Sequence, residues 1–298
     1  MNNMMEKTND IKLSIAFITH NRAKELIRAI ESCIKYMVDK TEIIIWDNHS
    51  NKENKEAIQK YISEISLDLK YYYSESNLGV AGGRNAVWKL SKGEYVFFLD
   101  DDAVIATENF FSKICSFMDN HEDIAVATVN IWEPETGVSH NCKHKRKDND
   151  LVLVLSFVGA AHIIRRTVFP KEYLYPSKLF FGSEELFASY ILYGQGYKIC
   201  ELSDLTVLHF PSNINRCFGK DRDINIIINQ YIIKKLTYPR ILFPVISIMF
   251  KLRILKNGLI REDYKKLLSE RYDPSERCGI SIKVLLKLFK QFGLIPLL

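Results

Sequence analysis

The chain has 298 residues, 47% of them hydrophobic and 26% charged, which excludes a disordered chain and leaves room for one large domain or a domain with an appendage. Six cysteines (Cys33, Cys115, Cys142, Cys200, Cys217, Cys278) stand far apart with no CxxC pair, which speaks against a zinc finger or a disulfide scaffold and suits a reducing cytosol. The net charge of +5 is uneven: Lys234 to Leu298 carries 14 Lys and Arg against 5 Asp and Glu, leaving −4 on the preceding 233 residues, so no nucleic-acid partner is expected for the body.

The opening MNNMMEKTNDIK has no apolar core, and no secretory leader is expected there. Leu13 to Thr19 (LSIAFIT) reads as a strand, and Ala23, Leu26, Ile27, Ile30, Ile34 and Met37 follow on a helical period. Glu42 to Trp46 (EIIIW) is a second strand, and Ala57, Ile58, Tyr61, Ile62 and Ile65 line a second helix. Leu69 to Tyr73 is a third strand; after NLGVAGG, Arg84 to Leu90 reads as a helix and Tyr95 to Leu99 (YVFFL) as a fourth strand. Strands apolar on both faces belong in a parallel sheet covered by helices.

The second half is less regular. Ile124 to Trp132 and Leu151 to Leu155 read as strands around an exposed loop, NCKHKRKDND. Ala160 to Ile164 continues the sheet, Glu184 to Tyr193 is a helix, and Lys198 to Leu202 and Thr206 to Phe210 are two last strands. The expectation is an α/β fold with a mostly parallel central sheet. Its body spans 1–215, divided into halves 11–102 and 103–215, and 216–298 form a basic, largely helical extension.

Such a sheet binds ligands beyond the carboxyl ends of its strands, and polar residues are heaped there. Asp100, Asp101 and Asp102 follow YVFFL; at strand spacing Asp100 and Asp102 point to one side and Asp101 to the other. Two such carboxylates repel, and a divalent metal relieves them; helix capping is the plainer alternative. Asp47 could accept a hydrogen bond from a pyrimidine N–H or a ribose hydroxyl, with Thr19 and Asn21 beside it. Arg84 could pair with a diphosphate, while Gly79, Gly82 and Gly83 let backbone approach a ligand.

Together these residues resemble the nucleotide-sugar site of family-2 glycosyltransferases with the GT-A fold. The resemblance runs from about Leu13 to Phe210. It rests on Thr19-x-Asn21-Arg22, Asp47-Asn48-x-Ser50, Asn77-Leu78-Gly79-x-Ala81-Gly82-Gly83-Arg84-Asn85 and the acidic triplet, in the family's order. Gly159-Ala160 with Arg165-Arg166, Glu184-Glu185 and Gly196-Tyr197-Lys198 continue it.

The resemblance implies an inverting transfer of a sugar from a UDP- or dTDP-linked donor to a hydroxyl of a glycan or lipid-linked acceptor in cell-surface polysaccharide synthesis. By the same resemblance, Thr19, Asn21, Asp47, Asn77, Gly79, Arg84, Asp100 and Asp101 contact the nucleotide. Asp102, with Asp100 and His209, holds Mn²⁺ or Mg²⁺; Glu185 is the base and Glu184 orients it or meets the acceptor. The family usually has aspartate as base, so Glu185 brings one extra methylene. The Asp-x-Asp-x-Val run also suits a haloacid-dehalogenase-type phosphatase with Asp100 as nucleophile, although there the motif usually follows the first strand. A nucleotidyltransferase would need a glycine-rich loop after strand one, absent from His20 to Lys24; a non-catalytic nucleotide-sugar-binding module is the remaining alternative.

In the tail, Asp223 to Leu236 is expected as a helix packed on the body, and Ile280 to Phe292 is amphipathic and lysine-rich. Residues 234–298 suit peripheral contact with the inner face of the cytoplasmic membrane; a homodimer through the tail is the alternative.

Overall fold

The computed structural model describes residues 11–140, 142, 144–169, 172–212, 219–258 and 261–293. The opening MNNMMEKTND, Cys217 and residues 294–298 lie outside the described residues, as does any test of a leader. The first half runs β1 (Leu13–Thr19), α1 (Ala23–Ile34), β2 (Thr41–Asp47), α2 (Lys52–Glu64), β3 (Leu69–Tyr73), α3 (Gly79–Leu90) and β4 (Tyr95–Leu99). Next come β5 (Ala103–Ile105), α4 (Phe110–Asn120), β6 (Ile124–Glu133), β7 (Val138–Ser139), β8 (Lys145–Asp148), β9 (Leu151–Val154), β10 (Ala161–Arg165), α5 (Glu184–Gly194) and β11 (Lys198–His209). The chain closes with α6 (Gly219–Thr237), α7 (Phe243–Lys256), α8 (Arg261–Arg271) and α9 (Ile282–Phe292).

One sheet joins the strands in the order β3-β2-β1-β4-β10-β6-β11-β9-β8, with β5 beside β11 and β7 beside β6. From β3 to β4 it is parallel; β10 enters antiparallel between β4 and β6, which is parallel to β11. The parallel half matches the apolar runs: every residue of β4 and all but Ile18 of β1 are buried.

Three elements differ from expectation. Helix α3 starts at Gly79 rather than Arg84. The two last strands are one, β11, whose pairing with β6 jumps from Leu202↔Val129 to Thr206↔Asn130, so a bulge replaces the expected break. The polar loop contains β8, an edge strand paired with β9; edge strands tolerate lysine-rich sequence because one side stays in water.

The extension shares the core. Ile228, Ile232, Ile233 and Leu236 of α6 are buried, as are Leu285, Leu288 and Phe292 of α9. Asn229 donates to the carbonyls of Phe181 and Gly182. Among the described residues no helix is long and apolar enough to cross a membrane.

Candidate active site

Because β1 and β4 are parallel neighbours, Thr19 and the acidic triplet emerge at the same edge of the sheet. They open onto a cleft of about 510 Å³, within the range of ligand sites. Thr19, Asn77, Gly79, Arg84, Asp100, Asp101, Asp102, Glu184, Glu185 and His209 all line it.

β4 ends at Leu99 and the triplet lies in the turn that follows, so the expected strand alternation does not hold: all three aspartates line the cleft, and one Arg22 nitrogen meets both Asp101 and Asp102. Asp100 is partly exposed to the cleft, its side chain 40% accessible. Asp101 is buried and accepts from Arg22 Nη1 at 3.0 Å; burial nevertheless pushes its carboxyl up to about 7, with Arg22 opposing the rise. Asp102 takes Arg22 Nη1 at 3.3 Å, the Ser212 N–H at 3.1 Å and His209 Nε2 at 3.1 Å. Burial works against its charge, but His209, Ser212 and Arg22 outweigh it and hold the carboxyl below its usual range. Burial likewise opposes charge on His209, yet Asp102 and Asp100 raise its proton affinity.

Asp100, Asp102 and His209 each offer one ligand atom, and the three atoms lie within 4.8 Å of one another. Such a cluster repels itself unless positive charge lies among the carboxylates. Two hard oxygens with an imidazole nitrogen fit a Mn²⁺- or Mg²⁺-type ion, and these three residues would hold it.

Arg84, expected beside the nucleotide, is tied to carboxylates and a backbone carbonyl at the cleft wall. Its side chain is 4% exposed and its fork engages carboxylates: Nη1 donates to Glu184 Oε1 at 3.1 Å and Glu185 Oε1 at 3.0 Å, and Nη2 to Asp100 Oδ1 at 3.2 Å. Nη2 also donates to the Gly159 carbonyl at 2.9 Å. One guanidinium thus ties the metal-side carboxylate to the pair opening α5, leaving little of its fork for a diphosphate. Burial opposes its charge, but Asp100 and Glu185 more than restore it. A Cβ at Gly159 would stand 2.1 Å from Glu185 Oε1 and 2.8 Å from Arg84 Nη2, so any side chain here would push the ends of those two side chains out of place.

The acidic pair is divided by environment. Glu184 is 2% exposed, and burial followed by the neighbouring charge of Glu185 pushes its carboxyl up to about 8. Glu185, with a side chain 15% exposed, faces the cleft. His162 is fully buried against Phe98, with Nδ1 3.1 Å from the Gly159 carbonyl. Burial and then Arg84 keep it neutral.

Asp47 and Asn21 are not among the residues lining the cleft. Asp47 is fully buried: Oδ1 accepts the Ser50 N–H at 2.7 Å and Oδ2 the Tyr71 hydroxyl at 2.6 Å. Asn21, at φ 59°, accepts the Asn51 N–H on Oδ1 and donates its own N–H to Ser50 Oγ. Asn77 receives the Asn48 amide and the Gly79 N–H on Oδ1. Gly79 has φ +70°, and a Cβ there would lie 2.4 Å from the Phe180 carbonyl; its freedom serves packing of α3 on that segment. Trp132 is half-exposed on β6 and does not line the cleft.

Sequence reasoning gave no role to Arg22, Ser212, Phe180 or His140. Arg22 had a signal in its place after the strand-one exit. Ser212 acts through its backbone and Phe180 through an exposed ring lining the cleft, so neither had one. His140, 2.5 Å from Glu133 and edge-on to His209, comes from a hairpin that only folding brings near.

The model of a family described as glycosyl transferase family 2 matches residues 14–175. An uncharacterized protein of Haemophilus influenzae is 26% identical over 176 residues, which are 57% of this chain and 95% of that one. Poly(ribitol-phosphate) beta-N-acetylglucosaminyltransferase TarP of Staphylococcus aureus is 36% identical over 125 residues; the match covers 40% of this chain and 37% of TarP, so the chain spans well under half of that relative. The crystal structure of GalNAc-T7 with UDP, GalNAc and Mn²⁺ superposes with a TM-score of 0.67 at 18% identity, covering 95% of this chain and 58% of that one. With the family model spanning more than half of the chain and the fold shared with GT-A enzymes, the chain belongs to glycosyl transferase family 2 and is a glycosyltransferase of GT-A fold.

Proposed function

We propose that the chain moves a sugar, with inversion, from a UDP- or dTDP-linked donor to a hydroxyl of a glycan or lipid-linked acceptor in cell-surface polysaccharide synthesis. The catalytic domain spans 1–215, and the work is done at the inner face of the cytoplasmic membrane. The observation that carries the reading is the shared cleft: Glu185 and the Asp100–Asp102–His209 cluster line one cavity, and Arg84 bonds to both sides of it.

In the reaction, the acceptor hydroxyl attacks the anomeric carbon from the face opposite the diphosphate. The new C–O bond forms as the sugar–phosphate bond breaks, the nucleoside diphosphate leaves with the bond pair, and the hydroxyl proton passes to Glu185. A Mn²⁺ or Mg²⁺ ion on Asp100, Asp102 and His209 would stabilise negative charge growing on the leaving group. Arg84 holds Glu185 through Oε1, which leaves Oε2 to receive the proton. Glu184, neutral through much of the physiological range, removes one negative charge from beside the base. Thr19, Asn77, Gly79 and Asp101 line the nucleotide side. TarP names a GlcNAc transfer to poly(ribitol phosphate), which agrees with a cell-surface polymer as acceptor, and GalNAc-T7 was crystallised with UDP and Mn²⁺, which agrees with a uridine nucleotide donor here.

The test is thermal stabilisation against a panel of nucleoside diphosphates and nucleotide sugars, with and without Mn²⁺. A Mn²⁺-dependent shift selective for UDP or dTDP compounds, lost in Asp102→Asn, is expected. A shift selective for purine nucleotides, or one indifferent to Mn²⁺, would overturn the donor and metal assignments.

A further inference from the structure

Helix α7 buries one face and exposes another that is equally apolar. Ile246, Phe250 and Ile254, spaced four residues apart, are buried. On the opposite face Val245, Ile248, Leu252 and Leu255 are 45%, 59%, 60% and 74% exposed, and Ile241, just before the helix, is 76% exposed. Their spacing of four, three, four and three residues is that of a single helical stripe, about 20 Å long at 1.5 Å per residue. A contiguous exposed apolar stripe of this kind marks an interaction surface.

The charges around the stripe indicate what covers it. On a helical projection Lys251 and Lys256 flank it on opposite sides, both exposed, and exposed Arg240 stands at its start. No acidic residue stands between Asp223 and Glu262. A second copy of the chain laid on the stripe would set lysine against lysine with no carboxylate of α7 to answer them. An anionic lipid surface satisfies both the apolar centre and the basic flanks.

The stripe also has a defined relation to the active site. Lys235 lies 3.6 Å over the Phe243 ring, the Tyr231 and Phe250 rings stack at 4.2 Å, and Arg253 donates to Gln230 at 2.7 Å. As α6 numbers fall α7 numbers rise, so the two helices run antiparallel. The C-terminal end of α7 therefore points toward the start of α6, where Arg222 lines the catalytic cleft.

We propose that α7 lies in the headgroup plane of an anionic bilayer, with Val245, Ile248, Leu252 and Leu255 inserted and Lys251 and Lys256 on lipid phosphates. This sets the Arg222 end of the cleft alongside the membrane surface, where the saccharide of a lipid-linked acceptor can reach Glu185. The proposal deepens the lipid-linked-acceptor reading, but its test involves no sugar transfer, so the two can fail separately.

The full chain is sedimented with vesicles of phosphatidylcholine alone or mixed with phosphatidylglycerol, and its solution mass is measured by light scattering. Wild type is expected to bind the phosphatidylglycerol vesicles preferentially and to release them at high salt. The double variant Ile248→Glu/Leu252→Glu changes only exposed positions. It should bind at least about tenfold more weakly while keeping its melting temperature and its Mn²⁺-dependent response to UDP. Lys251→Glu and Lys256→Glu should each weaken binding about fivefold. Equal binding by wild type and the double variant, or no preference for anionic vesicles, would overturn the proposal. A wild-type dimer that becomes monomeric in the double variant, without vesicle binding, would assign the stripe to a second copy instead.

Discussion

The division of labour between Glu184 and Glu185 can be tested by Glu184→Gln, which fixes in place the neutral state assigned to Glu184. Three carboxylates, those of Glu184, Glu185 and Asp100, share one buried guanidinium, so the cluster carries surplus negative charge unless one of them holds a proton. Glu184 is the most buried of the three, and its Oε2 has no hydrogen-bond partner. Raising its carboxyl from 4.5 to about 8 corresponds to on the order of 5 kcal/mol against the ionised form. Between these two values the folded chain keeps a proton that the unfolded chain has released. Wild-type stability from this group is therefore fully present below pH 4.5 and lost as pH rises towards 8.

Glutamine has no such slope, and its carbonyl oxygen can still accept from Arg84. Even if relaxation of the surroundings leaves only about 2 kcal/mol, the variant should melt about 3 °C above wild type near pH 9 and almost level with it near pH 5. Differential scanning fluorimetry of metal-free protein across that range reads the difference directly. Sugar transfer by the variant near pH 7 should stay within about tenfold of wild type, because the general base is untouched. An advantage that does not change with pH, or a wild type more stable than the variant near pH 9, would refute the protonated-Glu184 account.

Four further outcomes follow from the same cluster and its neighbours. Glu185→Gln should lower turnover by about 10² to 10⁴ with UDP affinity retained, as measured by initial rates and calorimetry. Gly159→Ala places a methyl group against Glu185 Oε1, the mobile end of a side chain; it should reduce turnover much more than it shifts the melting temperature. Arg84→Met leaves the three carboxylates without their cation and should cost about 3 to 5 kcal/mol, read by urea unfolding. Tyr71→Phe removes the 2.6 Å donor to Asp47; it should destabilise by about 1 to 3 kcal/mol and leave donor KM unchanged, whereas tighter donor binding would return Asp47 to the nucleotide site.

Much of the parallel half was legible because its strands are buried on both faces and so read as unbroken apolar runs. Helix α3 was read late because Gly79, Gly82 and Gly83 have low helix propensity and suggest a turn. What they provide is close contact, as at Gly79 against Phe180. Strand β11 was read as two because Ser203 and Asp204 interrupt its apolar pattern, and in the fold those residues fall in the bulge. Strand β8 carries no apolar alternation, and its pairing with β9 was invisible without the neighbour.

The site shows the same boundary between local and long-range information. Asp100 and Asp102 could be picked out because they directly follow an apolar strand, which is a local signal, but strand alternation does not describe them, since they lie in the turn after Leu99. The partners of Arg84 could not, because they belong to a helix a hundred residues later in the chain. Asp47 shows why a polar residue at a strand end is ambiguous. In the sheet it pairs with Tyr73, and Tyr71, two residues earlier on β3, shares the face of Tyr73, so its hydroxyl reaches the Asp47 carboxylate. Oδ1 and Oδ2 each already accept one bond there, and the carboxylate is fully buried, so a pyrimidine N–H would have to reach a remaining lone pair through the surrounding side chains. In the fold, those two bonds let Asp47 fix the Ser50 turn and tie it to β3, a structural task that a strand-end position alone does not reveal.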